Sequence, residues 1–342
     1  MTQKQWQTLL SVINGQKLDT LPIGFIIDSP WLPNWAGITI KEYYDSEPKW
    51  LDANLKALQT FPDIMFLPGF WSEYGMCTEP SAFGSKCVWQ ENDLPFAETI
   101  ITDAAQIKDL KTPDPLTDGL APQVIERLVN CQPRIQAEGH EIRFAVSRGP
   151  LNLATFLMGN TEFFTGLYTG PEAICDLLEI ITDYTVKWIQ LQVRTFPTID
   201  GIFVLDDIVG FINDECFQQF AKPYLTRIFQ AADVSVRFFH NDAPGMVCAP
   251  HLVDIGVNLF NFGFEHGLAE MKDLTGGQVT LLGNIPPRDV LAAGSPGDVE
   301  TSVKNALASV EDHSRIILSC GGGMPPNVPT ENIKAFQTAA RS

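Results

Sequence analysis

The sequence predicts an α/β fold, a (β/α)8 TIM barrel with an N-terminal extension and a long insertion after the second strand. Two observations predict this class: short apolar runs, often β-branched, recur eight times, and helical patterns lie between them. Eight buried-type strands that alternate with helices are typical of such a barrel. A doubly wound sheet also alternates, but the G-x-G-x-x-G fingerprint that follows its first strand is missing here.

The eight predicted strands each end where a polar residue, a proline or a glycine begins. They span residues 23–27, 64–67, 142–146, 201–205, 234–239, 257–260, 279–282 and 316–318. Helical periodicity predicts helices at residues 47–60, 171–195, 214–230, 268–274, 296–309 and 329–340. Residues 69–135 exceed what a minimal barrel needs, and we interpret them as a lid or wall over the barrel mouth. No linker divides the chain, so residues 1–342 are expected to form a single domain.

Charge and hydropathy exclude several classes of protein. The chain has 342 residues, with 23 Lys and Arg against 41 Asp and Glu, which gives a net charge of −18. A field of this sign repels nucleic-acid phosphates and anionic lipid. No stretch approaches about 20 uninterrupted apolar residues and no signal-peptide pattern is present, so we expect a cytoplasmic protein that binds neither nucleic acid nor membranes. The seven cysteines form no CxxC pair and are expected to be reduced thiols.

The carboxyl ends of the predicted strands supply the candidate site residues. Active sites of (β/α)8 barrels gather at that face, because the loops that follow the strands meet there. The position rule, applied without regard to residue type, selects Asp28, Arg148, Asp206, Asp207, His240, Asp242, Asn261, Asn284 and Cys320. This set contains titratable groups and metal ligands, as a working site requires.

A metal site is the first chemistry that these residues allow. His240, Asp242 and Cys320 are ligand types that Zn²⁺ accepts, and Glu265 could add a further ligand. Sequence spacing cannot show that they converge. The alternative is a hydrogen-bonding histidine, a cysteine that fills the core, and a Glu265 that lies in a solvated loop.

Other strand-end residues are candidates for acid–base work and for substrate binding. Asp206 and Asp207 are adjacent, so only one can face the barrel mouth while the other caps the following turn. Arg148 could anchor a substrate carboxylate, or it could pair with a neighbouring carboxylate instead. Trp31 and Trp71 could wall an apolar pocket, although aromatic side chains in loops also serve as ordinary lid packing.

Four segments carry a family resemblance. They read GIFVLDDIVGFINDECFQQFAKPYL, FFHND, LLGNIPPRDVLAAGSPGDV and ILSCGGGMPPNVPTENIKA, and RGPLNLATFLMG adds a GP-containing segment. Together they resemble the uroporphyrinogen decarboxylase superfamily over roughly residues 140–340. The resemblance implies a (β/α)8 barrel. It also implies either a porphyrinogen decarboxylase or a methyltransferase that moves methyl groups between a corrinoid and a thiol or pterin.

The residues favour the methyltransferase branch. The decarboxylases carry an Arg-rich motif after the first strand, which holds the substrate's many carboxylates, whereas this chain reads IIDSPWLPNW with Asp28 and no arginine. They also place an aspartate after the second strand, where Pro68-Gly69 stands here. An octa-acid substrate would lose ion pairs that each contribute on the order of 2–5 kcal/mol at a buried site. We therefore do not expect uroporphyrinogen decarboxylation.

The resemblance also implies a metal and a partner. Thiol-directed methyltransferases of this superfamily hold zinc with an H-x-C motif after the fifth strand and a cysteine after the eighth. His240 and Cys320 match, whereas Asp242 replaces the middle cysteine, which makes the ligand set harder. We expect a methyltransferase that moves a methyl group between a corrinoid (methylcobalamin) protein and a small thiol or pterin acceptor, with zinc as a candidate cofactor.

The expected roles divide the candidate residues into three groups. Asp206, Asp207 and His240 are expected to be catalytic; Asp28, Trp31, Trp71, Arg148, Asn261 and Asn284 to bind substrate; and His240, Asp242, Cys320 and Glu265 to bind the metal. Two alternatives stay open: a cobalamin-independent decarboxylase or lyase of a small organic acid on the same barrel, and a non-catalytic small-molecule binder. A homodimer is also open.

Overall fold

A computed structural model describes residues 1–341 and contains ten strands. They are β1 (Gly24–Ile26), β2 (Met65–Leu67), β3 (Cys87–Val88), β4 (Phe96–Ala97), β5 (Phe144–Arg148), β6 (Gly201–Leu205), β7 (Val236–Asn241), β8 (Leu259–Phe262), β9 (Thr280–Ile285) and β10 (Ile316–Cys320). Strands β3 and β4 form a small antiparallel hairpin. The other eight match the eight strands that the sequence predicts.

These eight strands are parallel, and their order around the molecule follows their order along the chain. Strands β5 to β10 form a six-stranded sheet with neighbours in chain order, and β1 pairs with β2. A parallel bridge from Ile23 to Leu318 joins the two sheets at β1 and β10. The predicted α/β barrel architecture is confirmed, with one seam between β2 and β5 where the described residues form no strand ladder.

Side chains satisfy the backbone of β5 along that seam. The amide of Gln192 accepts from the backbone N–H of Val146 and donates to its carbonyl, both at 2.9 Å. The carboxylate of Glu79 accepts from the backbone N–H of Arg148 at 2.9 Å. Because an unpaired buried backbone group is costly, these contacts replace the hydrogen bonds that a neighbouring strand would supply.

Alternating side chains of each strand face opposite layers of the fold. In β6, Phe203 and Leu205 belong to an inner cluster, whereas Ile202 and Val204 pack outward under the helices. Successive side chains of a strand point to opposite faces, so a strand that is buried on both faces needs apolar residues on both. The inner cluster also includes Trp6, so the N-terminal helix Gln3–Ile13 closes the amino-terminal end of the barrel.

Fifteen α-helices surround these strands in the described residues. They are α1 (Gln3–Ile13), α2 (Leu32–Ala36), α3 (Ile40–Asp45), α4 (Glu47–Thr60), α5 (Thr78–Ala82), α6 (Ala121–Ala137), α7 (Pro150–Met158), α8 (Asn160–Thr169), α9 (Pro171–Thr195), α10 (Asp214–Cys216), α11 (Lys222–Phe229), α12 (Leu252–Ile255), α13 (Leu268–Leu274), α14 (Pro296–Ala308) and α15 (Thr330–Ala340). Within residues 1–341, no helix combines the length and the apolar character that crossing a membrane would need.

The segment 69–135, predicted as a lid or wall, contains several short elements. It starts with a 3-10 turn (Gly75–Cys77) and α5, continues with the β3–β4 hairpin and a second 3-10 turn (Ala104–Asp109), and ends in α6. Gly75 has a φ of 55°, and a Cβ there would lie 2.9 Å from the Pro95 ring. The first turn and the hairpin therefore pack closely against each other on one side of the barrel mouth.

Several predicted strands end too early. The sequence predicts that the fifth strand ends at residue 239 and the eighth at 318, but β7 continues through His240 and Asn241, and β10 through Ser319 and Cys320. Polar residues normally mark the end of a strand. Here they stay in the ladder, because the carboxyl ends of barrel strands carry polar side chains into the site.

Candidate active site

A cavity of about 280 Å³ lies at the carboxyl ends of the strands. Its wall comes from the strand ends, the first part of the lid segment, and the loops after β9 and β10. The lining residues are Ile26, Asp28, Pro30, Trp71, Glu73, Gly75, Met76, Leu94, Arg148, Leu205, Asp207, His240, Asp242, Pro287, Arg288, Gly321, Gly323, Met324, Pro325 and Pro326. Six predicted site residues meet there: Asp28, Trp71, Arg148, Asp207, His240 and Asp242.

The polar residues of the cavity continue the inward-facing rows of the strands. Phe238 of β7 belongs to the inner cluster, and counting by two along the chain leads to His240 and then to Asp242. The same count from Leu205 in β6 leads to Asp207. Since side chains alternate along a strand, these groups converge above the apolar interior.

A buried asparagine fixes the orientation of His240. Nδ1 of His240 lies 2.7 Å from Oδ1 of Asn261. The amide nitrogen of Asn261 donates to the carbonyl oxygens of Leu282, at 2.7 Å, and of Cys320, at 3.3 Å. With its amide hydrogens engaged, Asn261 can only accept from the imidazole, so Nδ1 of the neutral ring carries the proton. The unprotonated Nε2 lies on the side of Asp207.

Two carboxylates stand beside this imidazole nitrogen. Oδ1 of Asp207 lies 3.7 Å from Nε2 of His240 and accepts the backbone N–H of Asp242 at 3.0 Å. One donor atom from each of these three side chains lies within 4.8 Å of the other two. Burial and the nearby Asp207 carboxylate raise the pKa of Asp242. The cluster can therefore bind a proton or a cation that compensates its negative charge.

Asp28 brings a third carboxylate to the cavity. Burial raises its pKa from 3.8 to about 6, although Arg148 and His240 act in the opposite direction. A carboxyl group with a pKa in this range can exchange a proton near neutral pH. Asp28 is predicted from the sequence to bind substrate, and its position at the cavity wall also allows an acid–base role.

Arg148 is paired with a carboxylate that the sequence analysis did not identify. Its Nη2 donates to both oxygens of Glu73, at 2.9 and 3.0 Å, and both side chains are largely buried. Burial raises the pKa of Glu73 to about 8, and the Arg148 guanidinium opposes this shift. Of the two alternatives for Arg148, the structure shows the ion pair. Glu73 lies in the lid segment, away from any strand end, so the position rule could not find it.

Arg288 is the second cavity residue that the sequence analysis missed. It lies within the quoted segment LLGNIPPRDV, and the structure places it at the wall beside Asp242. Arg288 lies three residues past the end of β9, so its distance from the strand end does not identify it as a site residue. The helical turn Pro287–Ala292 brings it back to the cavity.

Asp206, expected in the catalytic set, does not line the cavity. It is fully buried, and its carboxylate accepts the backbone N–H groups of Leu151, at 2.8 Å, and Asn152, at 3.1 Å. These N–H groups belong to the first turn of α7, which has no other acceptor at that position. Asp206 continues the outward row of β6 just past the end of the strand, whereas Asp207 continues the inward row, and the Asp206 carboxylate holds the start of α7 in place.

Neither Cys320 nor Glu265 belongs to the cluster of Asp207, His240 and Asp242, whose donor atoms lie within 4.8 Å of one another. Cys320 belongs to the outward row of β10, where its thiol donates to the carbonyl of Gly322 at 3.4 Å, and burial raises its pKa to about 12. Glu265 is exposed in the loop after β8. Of the predicted metal ligands, His240 and Asp242 therefore lie together with Asp207, whereas Cys320 and Glu265 do not belong to this group.

Three predicted substrate-binding residues also lie outside the cavity wall. Trp31 is buried, donates from Nε1 to the carbonyl of Val328 at 3.0 Å, and stacks on Trp35. Asn284 donates to the carbonyl of His266, and Asn261 lies beneath His240. Trp71 does line the cavity, under the guanidinium of Arg148.

Comparison with known proteins agrees with the resemblance seen in the sequence. The family model for uroporphyrinogen decarboxylase (URO-D) matches residues 4–342. A uroporphyrinogen decarboxylase of Xanthomonas oryzae is 24% identical, with 97% of each chain covered. That of Pseudoalteromonas atlantica is 26% identical, with 77% of this chain and 75% of the relative covered.

Solved structures with the same fold include a methyltransferase from Methanosarcina mazei. Its TM-score is 0.81 at 20% identity, over 97% of this chain and 96% of the other. A B12-independent methionine synthase from Shewanella has a TM-score of 0.56 at 12% identity, over 94% and 97%. These likenesses concern the fold, whereas the family model covers almost every residue. The chain belongs to the uroporphyrinogen decarboxylase family.

Proposed function

We propose that this protein is a methyltransferase that moves a methyl group between a corrinoid, carried as methylcobalamin by a partner protein, and a small thiol or pterin acceptor. The observation that carries the proposal is the cluster of Asp207, His240 and Asp242 in a small cavity. An imidazole nitrogen beside two carboxylates can remove a proton from a nucleophile or hold a cation that does so.

The charge of the cavity argues against a porphyrinogen substrate. Its wall carries four carboxylates, namely Asp28, Glu73, Asp207 and Asp242, against the two guanidinium groups of Arg148 and Arg288. Arg148 is already paired with Glu73, so one cation is left for a substrate with eight carboxylates. A cavity of about 280 Å³ lies at the lower limit for drug-sized ligands. Both facts support a smaller and less acidic substrate.

The donor set fits a divalent metal, and zinc is the ion that the family resemblance implies. Four acids against two guanidinium groups leave an excess of negative charge in the cavity, which a dication would compensate. His240, Asp207 and Asp242 would hold the ion. When bound, such an ion acts as a Lewis acid that keeps a coordinated thiol deprotonated.

The chain's own residues have defined roles in this reaction. His240 would present Nε2 to the acceptor, held in that orientation by Asn261. Asp28, with its pKa near 6, would take up the acceptor's proton. Trp71 and the Arg148–Glu73 pair would form a wall that keeps water from the methyl group.

The transfer balances without an added oxidant or reductant. The acceptor thiol first loses its proton to the site. The sulfur electron pair then forms a bond to the methyl carbon, and the carbon–cobalt bond of the donor breaks. Cobalt keeps that electron pair, so the products are a thioether and the cobalt(I) corrinoid. A pterin nitrogen would instead attack with its lone pair and lose its proton to the site after the nitrogen–methyl bond forms, while the carbon–cobalt electron pair again stays with the donor.

A decarboxylase or lyase of a small organic acid is a second candidate. Arg288 is a cavity cation near Asp242 that forms no ion pair within the described residues, and it could hold a substrate carboxylate. Asp28 could then protonate the carbon that loses carbon dioxide. The relatives with the name uroporphyrinogen decarboxylase favour this candidate, although they are only 22–26% identical to this chain.

Turnover assays separate the two candidates. Methylcobalamin is incubated with the protein and a panel of thiols and folates, and the corrinoid absorbance is followed. In parallel, carbon dioxide release is measured from uroporphyrinogen and from small organic acids. We expect demethylation of methylcobalamin with at least one acceptor and no carbon dioxide release.

Variants link that activity to the cluster. His240→Gln should reduce the rate about 10²- to 10⁴-fold, the usual contribution of a positioned acid–base group. His313→Gln is the matched control, because His313 is exposed and bonds to the carbonyl of Leu307 outside the cavity. No methyl transfer to any acceptor, or equal rates in the two variants, would reject the proposal.

A further inference from the structure

We infer that the metal site of this chain contains no thiolate: its ligands are Nε2 of His240 and the carboxylates of Asp207 and Asp242, and Asn261 is its positioning residue. The inference deepens the proposed function and rests on its metal-assisted form. It differs from the zinc set that the family resemblance implied, in which Cys320 was a ligand.

The first support is the direction of the side chains. His240 lies on the inward row of β7, Asp242 continues that row just past the end of the strand, and Asp207 continues the inward row of β6. Cys320 lies on the outward row of β10, and its thiol donates to the carbonyl of Gly322. A residue on the opposite face of a strand cannot reach the cavity without a change in register.

The second support is the distance between donor atoms. Nε2 of His240 and Oδ1 of Asp207 lie 3.7 Å apart, and a donor atom of Asp242 lies within 4.8 Å of both. Metal–ligand bonds of about 2.0–2.2 Å place neighbouring donor atoms roughly 3–3.5 Å apart. Small side-chain rotations would therefore close these three donors around one ion.

The third support is that hydrogen bonds already orient two of the ligands. Asn261 accepts from Nδ1 of His240 and is itself held by the carbonyls of Leu282 and Cys320. The backbone N–H of Asp242 donates to Oδ1 of Asp207. Metal-bound histidines usually donate their second N–H to such a partner, which fixes the ring and leaves the other nitrogen for the metal.

The donor set also indicates which ions bind. One imidazole with two carboxylates is an oxygen-rich site, and carboxylates suit Mn²⁺ whereas thiolates favour zinc. We therefore expect Mn²⁺ and Co²⁺ to occupy the site as well as Zn²⁺, at one ion per chain.

Cobalt provides a direct spectroscopic test. The full-length protein is treated with a chelator, dialysed and titrated with Co²⁺, and Mn²⁺ binding is followed by the loss of the free-ion electron paramagnetic resonance signal. We expect cobalt ligand-field bands in the visible range without the near-ultraviolet band of sulfur-to-cobalt charge transfer. That charge-transfer band, or no binding of either ion, would overturn the inference.

Variants identify the ligands and the positioning residue. Cys320→Ala should leave the Mn²⁺ dissociation constant unchanged, while Asp207→Asn and His240→Gln weaken binding strongly. Asn261→Ala should weaken it about 10- to 100-fold, as loss of a partner behind a metal-bound histidine usually does. Asn261→Asp, which keeps an accepting oxygen, should retain more affinity than Asn261→Ala.

Asn258→Ala is the matched control for Asn261, because Asn258 accepts from the backbone N–H of Arg237 away from the cavity. Circular dichroism of the metal-free variants shows whether each one folds. Weaker binding in Cys320→Ala, or equal effects at Asn258 and Asn261, would contradict the inference. If metal binding fails while methyl transfer occurs, only this inference is lost; if metal binds and no methyl is transferred, only the proposed function is lost.

Discussion

Two groups of acidic side chains at the cavity differ in how closely their carboxylates are paired with a cation. On one side, Glu73, Glu79 and Arg148 form a paired wall, in which the Arg148 side chain bonds Glu73 and its backbone N–H bonds Glu79. On the other side, Asp207, His240 and Asp242 form an open cluster, and the nearby Arg288 forms no ion pair with it within residues 1–341. The difference indicates that the paired wall serves the fold, and that the open cluster is available for chemistry.

The largest expected effect on stability comes from breaking the paired wall. Arg148→Met removes both hydrogen bonds from the guanidinium to the buried Glu73 carboxyl, which then holds a proton, since burial already raises its pKa to about 8. Hydrogen bonds to charged groups contribute about 1.5–3 kcal/mol each, so the variant should lose about 3–5 kcal/mol. Urea unfolding should show this loss, and the double variant Arg148→Met with Glu73→Leu should recover most of it. A loss below about 1 kcal/mol would show that the wall is not a buried pair.

The adjacent aspartates give the next largest contrast. Asp206→Ala removes the acceptor of two buried N–H groups at the start of α7, and should cost about 2–4 kcal/mol. Asp207→Ala should cost less than about 1 kcal/mol, because Asp207 is part of the open cluster. Equal losses of unfolding free energy in the two variants would contradict this division of roles.

Asp28 should make stability depend on pH. Its pKa is about 6 in the folded chain, above the ordinary 3.8, so the folded state binds more protons than the unfolded state between these values. Stability contributed by the protonated group is therefore present below about pH 4 and is lost as the pH rises through 6. Asp28→Asn should match the wild type near pH 4 and exceed its unfolding free energy by about 1–3 kcal/mol at pH 7.

Denaturant unfolding of both proteins at several pH values checks this expectation. A difference that stays constant from pH 4 to pH 8 would show that Asp28 ionises normally and does not carry the acid–base role assigned to it.

The smallest expected effect concerns Trp31. Trp31→Phe keeps most of the aromatic packing and removes the hydrogen bond from Nε1 to the carbonyl of Val328. We expect a loss of about 1 kcal/mol in unfolding free energy and no change in the KM for either substrate. A raised KM would show that Trp31 binds substrate, as the sequence predicts.

The fold was predictable because its signal repeats along the chain. The strand Gly201–Leu205 and the helices Glu47–Thr60, Pro171–Thr195 and Leu268–Leu274 have the predicted bounds, since each is an apolar run or stripe with clear ends. The strand ends at His240 and Cys320 were missed, because polar side chains inside a ladder read as the start of a loop.

The site was predictable only in part. Position at a strand end identified Asp207, His240 and Asp242, but it also selected Asp206 and Cys320. Counting by two from the inward apolar residues would have separated the two groups, since side-chain direction alternates along a strand. No such rule reaches Glu73 or Arg288, which lie in a lid and a turn whose paths depend on tertiary packing.

Anomalous X-ray scattering from crystals grown with Mn²⁺ tests the central claim most directly, because it locates the ion in relation to individual side chains. We expect one anomalous peak per chain, within bonding distance of Nε2 of His240 and of carboxylate oxygens of Asp207 and Asp242. A peak bound to Cys320, or a cluster that stays empty while the ion binds elsewhere, would contradict it.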